Sequence, residues 1–596
     1  MGMGTQTAAP RPMFFAAHVG VLSTVKISPC PSTIRPNRSR ACRVRVAESL
    51  SPSIASGDPN APEKLFYFEP SVWVNFFINH NPRPLQRSDE WMRHKADKLK
   101  ENVRKLIWTS NDVVAKMNLV DAIQRLGIGH LFEDEISCIL SDIHKSEFTS
   151  SSLHEVALRF HLLREHGLWV SPDVFNKFKA DDGKFIDEVA NEPRDLLSLY
   201  NAADLLVHDE PELEEAISFS RYHLKTMMQH NDLKQPLFDK FSRALHLPLP
   251  RTYKRVETLH YFLEYGQEEG HIPILLDLTK LDFNILQRVH LKELKAISEW
   301  WKDLYKYIGL TYISDRAVES YIWSHTMLFG EGLALTRMIC AKIIILLVIM
   351  DDTYDAHATI EESRKLNEAI QRWDESAIPR VPEYLKKFYI KLLNNFKEIE
   401  DQVMDNEKYK VAYAKKEFQK LSHYYLQEVE WLHQNHKPSF QEQVDLSTKT
   451  STAHLMFVST TVGLGDAVTK EALEWAESST AIVAVGKIMR FMNDIAAFKH
   501  GKNKGDVTST MECYMNEHKV ISDVAFMKLT SLIEHEYRTI NQARFELHKS
   551  LPAAQRVVIL AVVSLMFFYD NRKDVYTLCS DLRETIRSLY VEHAPM

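Results

Sequence analysis

At 596 residues, with 45% hydrophobic and 26% charged residues and a formal net charge of −7, the chain has the make-up of a globular protein too long for one core. The negative balance speaks against nucleic-acid binding, which needs a basic face. Only 18 glycines argue against a β-rich or loop-rich chain.

Charge is unevenly spread. Residues 1–47 hold no Asp or Glu but contain Arg11, Lys26, Arg35, Arg38, Arg40, Arg43 and Arg45. That segment carries +7, so the remainder holds −14, the net −7 less that +7. Rich in Ser, Thr, Pro and Arg, it reads as a transit peptide, which places the protein in a plastid; a basic tail and a cytoplasmic protein are the alternatives. Residues 48–62, with their Pro and Ser, read as a linker. The six cysteines, Cys30, Cys42, Cys138, Cys340, Cys513 and Cys579, form no CxxC pair. They suggest neither a zinc site nor a disulfide framework.

From about Phe66 onward nearly every segment has helical period. Asp89–Thr109, Val113–Leu126, Leu153–Gly167 and Glu212–His230 place apolar residues three or four apart with charges between. Turn signals such as Ser171-Pro172-Asp173 and Asp181-Asp182-Gly183 separate them. The expected fold is all-α, in two helical domains spanning 63–270 and 271–596. The boundary is expected near Leu247–Thr252 and Gly266–Pro273. The second domain is richer in aromatics, and a cavity between its facing helices is expected there. No apolar run reaches the ~18–20 residues of a membrane span.

The most informative string is Met350-Asp351-Asp352-Thr353-Tyr354-Asp355. The thirteen residues from Met338 to Met350 are apolar apart from Lys342. On a helix, Asp351 and Asp355 share one face. Hard divalent cations such as Mg²⁺ take carboxylate oxygens and complete their shell with water and phosphate. A solvated acidic helix end is the bland alternative. It would oppose the helix dipole at about 0.3–1 kcal/mol per charge. Further along, Arg490-Phe491-Met492-Asn493-Asp494 offers oxygen ligands one turn after an arginine able to grip phosphate. Ser314-Asp315-Arg316, followed by Glu319 and Trp323, and Phe568-Tyr569-Asp570, followed by Asp574 and Tyr576, are weaker signals. Asp303, beside Trp300-Trp301, is a fifth carboxylate site next to aromatics.

Together, in this order, these strings resemble those of plant class I terpene synthases. Asp351–Asp355 match the aspartate-rich DDxxD motif, Ala369-Ile370-Gln371-Arg372-Trp373-Asp374 is a further family string, and Glu299–Leu304 is similar to WWK(D/E)L. The resemblance covers about Leu65 to Val591 and implies a C-terminal class I α-bundle behind an α-barrel-like N-terminal domain. It assigns metal binding to Asp351, Asp355 and Asn493, with Asp352 in support. Arg316 and Arg490 would grip diphosphate, alongside Asp351, Asp355 and Asn493 as substrate contacts. Trp323, Tyr569 and Asp574 would serve the carbocation chemistry, with Tyr576 as a neighbour; Asp303 is a further catalytic candidate from its place beside the tryptophans, with a structural role as the alternative. The cofactor implied is Mg²⁺, three ions, with Mn²⁺ as a substitute. The partner is a prenyl diphosphate; no nucleic acid, no membrane span and a monomer are expected.

Two departures stand out. The second metal motif, (N/D)DxxSxxxE, wants Ser or Thr at 497 and Glu at 501, where this chain has Ala497 and Gly501. The RxR motif wants Arg at 314, where Ser314 stands. Asp506 is a candidate replacement ligand, and Lys499, His500, Lys502 and Lys504 are candidate diphosphate contacts. The DxDD motif of class II cyclases is absent, so the N-terminal domain is read as a non-catalytic relic. Phe68-Glu69-Pro70-Ser71-Val72-Trp73 resembles grass sesquiterpene synthases, which implies cyclisation of farnesyl diphosphate, ended by deprotonation or water, with a hydroxylated eudesmane-type product. A plastid mono- or diterpene synthase and a catalytically weakened prenyl-diphosphate binder are the alternatives.

Overall fold

The computed structural model describes residues 71–82, 87–110, 112–229, 235–500, 508–569 and 573–592. The expectations for the transit segment, the linker, Phe68–Pro70, Gly501, Lys502, Lys504, Asp506, Asp570 and the His500 side chain fall outside what is described. Among the described residues the structure is helical, with β pairing confined to a bridge between Lys179 and Phe185. Cys138, Cys340, Cys513 and Cys579 are free thiols.

The sequence signals act locally as expected. Helix α1 (Asp89–Thr109) is capped by Ser88, whose hydroxyl accepts from Trp91 N–H, and α2 (Val113–Arg125) by Asp112, which accepts from Ala115 N–H. Helix α3 (Leu153–Glu165) is capped by Ser152. With α4 (Pro193–Ala203), α5 (Leu237–His246) and α6 (Lys254–Tyr265), these helices build the first half. Its main core centres on Val103, Val120, Phe132, Phe160 and Leu199.

Helix α7 (Pro273–Ile308) runs 36 residues, about 54 Å at 1.5 Å per residue. Proline opens it and Gly309, with φ 70°, ends it in the left-handed conformation that glycine tolerates. Its first turns, with Leu275, Leu278 and Leu281, pack into the core of the first half. Its last turns, with Leu294, Ile297 and Trp301, pack into the core of the second. One rod therefore spans both cores. Ion pairs tie the halves together at Arg251–Glu534 and Arg556–Glu133.

The second half follows as α8 (Ala317–Met327), α9 (Ala334–Asp352), α10 (Lys408–His433), α11 (Phe440–Thr450), α12 (Ala453–Ser459), α13 (Thr480–His500), α14 (Ser522–Leu547), α15 (Pro552–Phe568) and α16 (Arg583–Tyr590). Helix α9 is apolar over most of its length because most of it is buried, Leu335 being exposed and Lys342 half-buried. The sequence count of thirteen apolar residues understates it. The continuous helical stretch Glu331–His357 is long and apolar enough to cross a membrane by length and composition. Its apolar window is 67% buried inside the protein, as expected of a core helix.

A buried polar chain sits between the halves. Both Tyr253, just before α6, and Tyr590 on α16 bring hydroxyls to Nδ1 of His325, at 2.8 and 2.7 Å. Nε2 of His325 lies 3.2 Å from Nδ1 of His290, whose Nε2 lies 2.9 Å from the Phe329 carbonyl. With both rings neutral and each protonated on Nε2, the chain runs in one direction to the Phe329 carbonyl, and the two hydroxyls share the single lone pair of His325 Nδ1. Burial, then repulsion from neighbouring Arg337 and Arg255 and, for His325, from His290, holds both imidazoles well below their usual range. Unfolded histidines take up protons below about pH 6.5 and these folded ones do not. The unfolded state then binds more protons, so stability falls as pH falls, at up to about 1.4 kcal/mol per pH unit for each ring. Thermal unfolding followed from pH 7 to 5.5 is expected to show a falling midpoint. His325→Gln should make that fall shallower, and an equal slope in both proteins would contradict the account.

Candidate active site

Helix α9 ends in the acids, and the end is not a simple one. After Asp352 the chain widens into a π turn over Thr353–His357. Such widened turns are rare in helices and frequent at functional sites. Asp351 and Asp355 line the mouth of a cavity of about 400 Å³, within the range of ligand sites. The floor is apolar, with Ile344, Leu347, Met456 and Met489.

The acids are differently employed. Asp351 receives the Tyr425 hydroxyl, and burial raises its pKa above the usual carboxylate value. Asp355 is exposed at the outer edge of the mouth. Desolvation of its carboxylate, then repulsion from Asp351 and Glu428, pushes its pKa well up. Asp352 turns away from its neighbours. Its Oδ2 accepts from both the backbone N–H and the hydroxyl of Ser314, each at 2.8 Å. Burial moves it to about 6. Asp352 thus tethers the segment carrying Arg316 to the end of α9, and Ser314, where an arginine was expected, is the other half of that tether.

The two guanidiniums come from different elements of the lining. Arg316 is buried and donates to the carbonyl of Thr577 at 2.8 Å. Arg490, on α13, donates to Thr450 Oγ1 at 3.0 Å, and Thr450 Oγ1 donates to Glu428 at 2.7 Å. Arg490 also lies 3.9 Å from Asp494. Asn493 lines the cavity with its amide 3.4 Å from the Tyr569 hydroxyl. Asp494 points the other way and accepts from Thr510 N–H and Oγ1 at 2.7 and 2.6 Å. The methyl of Ala497 faces the cavity and supplies no ligand atom.

The aromatic residues line the same space. Trp323 stacks on Phe568 at 4.5 Å and meets Tyr576 edge-on at 5.4 Å. Asp574 lines the cavity, but Oδ1 accepts from Tyr576 N–H and Thr577 N–H, and Oδ2 from the Thr577 hydroxyl. Its carboxylate organises the turn over the cavity. Asp303, expected at the site, is not part of this lining. It is exposed on α7, because Trp301 and Leu304 take the buried face and position 303 falls on the opposite one.

Several site residues escaped the sequence reading. Glu428, Tyr425 and Leu432, spaced as one face of α10, line the cavity. Burial raises Glu428 to about 7, against the pull of Arg490. In the sequence Gln427-Glu428-Val429-Glu430 looks like an ordinary solvated acidic face. Only the buried tyrosine one turn earlier hinted otherwise.

Six carboxylates and two guanidiniums contribute to the lining; Asp352, Asp494 and Asp574 are held by Ser314, Thr510 and the 576–577 turn, which leaves Asp351, Asp355 and Glu428 as the acids of the open space. Among the described residues no three carboxylate, His or Cys side chains stand as a ready-made metal cage. Such oxygen donors fit a cation that keeps waters and takes phosphate oxygens as its remaining ligands. A diphosphate could not enter so acidic a mouth without cations.

Comparison with known proteins agrees with this geometry. Residues 302–539 match the model "Terpene synthase family, metal binding domain", and 72–245 match "Terpene synthase, N-terminal domain". The chain is 48% identical to the tau-cadinol synthase of Zea mays over 549 residues, 91% of this chain and 100% of that one. It is 41% identical to a eudesmanediol synthase of Zea mays over 92% of this chain and 98% of that one. Its fold is similar to grey poplar isoprene synthase solved with three Mg²⁺ ions and dimethylallyl-S-thiolodiphosphate (TM-score 0.77, 28% identity, 88% of this chain and 99% of that one). It is also similar to limonene synthase solved with 2-fluorolinalyl diphosphate (TM-score 0.82, 25% identity, 89% of this chain and 99% of that one).

Proposed function

This chain belongs to the terpene synthase family, and from that premise we propose that it ionises farnesyl diphosphate and cyclises the resulting cation to a sesquiterpene. One observation carries the reading: a cavity with apolar walls that gathers Asp351, Asp355 and Glu428 with the guanidiniums of Arg316 and Arg490. The relatives named for sesquiterpene products, tau-cadinol synthase among them, support the C15 substrate.

Asp351 and Asp355, with Glu428 and Asn493 facing them, would hold the divalent cations, three by analogy with the isoprene synthase complex. When bound, those cations neutralise the diphosphate and make it a better leaving group. Arg316 and Arg490 bind its oxygens and keep the departing anion at the mouth. Ser314 and Asp352 position Arg316 for that task. The isoprenoid tail lies against Ile344, Leu347, Met456 and Met489, which exclude water. Trp323 and Tyr569 present ring faces to the cation, each contact contributing about 0.5–2 kcal/mol. Phe568 already covers one face of Trp323, so the other must serve. Proton loss or entry of one water ends the sequence and releases a hydrocarbon or an alcohol.

Full-length protein incubated with C10, C15 and C20 prenyl diphosphates and Mg²⁺ is the test, read by gas chromatography–mass spectrometry. A cyclic C15 product formed at least tenfold faster than the others is expected. A longer prenyl diphosphate would reveal chain elongation instead. Binding without any turnover would point to the weakened binder that Ala497 suggests.

A further inference from the structure

A second cavity, of about 520 Å³, lies on the far side of the wall that carries Tyr569, Asp574 and Tyr576. It is formed between the first half, through α5 and α6, and the carboxyl-terminal segment. Leu197, Leu247, Leu249, Val256, Phe567 and Leu582 give it apolar walls.

Its charges are already spoken for. Arg125 pairs with Glu257 at 2.9 Å, Lys240 with Glu268 at 2.5 Å, Arg243 with Glu264 at 2.7 Å and Lys573 with Asp581 at 2.9 Å. An anionic guest would have to break one of these pairs. A neutral lipophilic guest need only displace water, the direction in which apolar burial is favourable.

The two cavities share one dividing wall, formed by residues 566–569 and 573–576. Met566, Phe567 and Val575 face the second cavity, whereas Tyr569, Asp574 and Tyr576 face the first. Val575 N–H donates to the Phe568 carbonyl at 3.0 Å, so the two stretches move together. An aromatic series crosses the wall: Tyr253 meets Phe567 at 5.5 Å, Phe567 meets Phe568 at 5.2 Å, and Phe568 stacks on Trp323.

We propose that this second cavity binds a neutral lipophilic molecule of about the size of a sesquiterpenoid alcohol, and that occupancy slows turnover by pressing on the wall formed by residues 566–569 and 573–576. The binding follows from the walls alone; the effect on turnover rests on the reading of the first cavity as a terpene synthase site.

Fluorescence titration of the full-length protein with the neutral probe N-phenyl-1-naphthylamine tests the binding. Two sites are expected in the wild type and one in Leu247→Trp and in Val256→Trp, which fill the second cavity from different helices or loops. Thermal unfolding identifies any variant that fails to fold, and the other then decides. 1-Dodecanol should displace the second probe at a concentration at least tenfold below that needed for dodecanoate, which has the same chain and a charged head. A stoichiometry of one in the wild type, or of two retained in both variants, overturns the site. Equal potency of alcohol and carboxylate overturns the neutral class. In turnover assays 1-dodecanol should lower kcat in the wild type with KM held, and lose that effect in both variants. Purely competitive inhibition in all three proteins overturns the coupling, while absence of turnover in the wild type would sink the function reading and leave the binding result standing.

Discussion

Asp351→Ala should lose at least about 10³-fold in kcat with farnesyl diphosphate and Mg²⁺, which corresponds to some 4 kcal/mol of transition-state stabilisation. The size follows from the site's charge balance. Asp351 is the acid at the centre of the mouth, held by Tyr425 and flanked by Asp355 and Glu428, both of which feel its charge. Without it the cations lose a shared ligand and the diphosphate loses its bridge to the protein. The same change should leave the fold intact, because it removes a like charge from a crowded acidic mouth. Thermal unfolding without metal should therefore stay level or rise slightly. Near-wild-type turnover would show that the acids are not the metal site. Lost turnover with a midpoint many degrees lower would mean that Asp351 is structural.

The second large effect concerns stability. Arg337 is fully buried and donates to both oxygens of Glu293, each at 2.7 Å. It also donates to the carbonyls of Leu328 and Gly330, which close the turn between α8 and α9. Tyr321 completes the set with a hydroxyl donated to Glu293 at 2.7 Å. Arg337→Met leaves Glu293 charged and unpaired in a dry interior, a loss of about 3–5 kcal/mol. Adding Glu293→Gln removes the stranded charge and keeps an acceptor for Tyr321. The double variant should recover more than half of the lost stability, measured as the denaturant midpoint at constant slope. Arg337→Met costing less than about 1 kcal/mol would show that water reaches this pair.

Helix placement was legible because period and caps are local properties. Asp89–Thr109 was expected and found with the same ends, since Ser88 and the apolar spacing act within the helix itself. The acidic end of α9 was legible for a related reason: carboxylates crowded after thirteen apolar residues make little sense unless something cationic gathers them. Asp303 failed because nearness in sequence to Trp300-Trp301 says nothing about which face a residue takes on a 36-residue helix. Asp352, expected in support of the metal ligands, binds Ser314, a residue 38 positions away that sequence spacing could not bring to it.

By itself, then, the sequence determined an all-helical chain, an apolar helix ending in acids, and two arginines suited to phosphate. Those follow from side-chain chemistry repeated at helical period. Only the tertiary structure decided that Glu428 joins the acids, that Arg490 reaches Glu428 through Thr450, and that a second cavity backs onto the first. The physical reason is that burial and charge pairing are sums over neighbours from distant parts of the chain. A carboxylate on α10 looks the same in sequence whether water or another acid faces it, and packing alone chooses between the two.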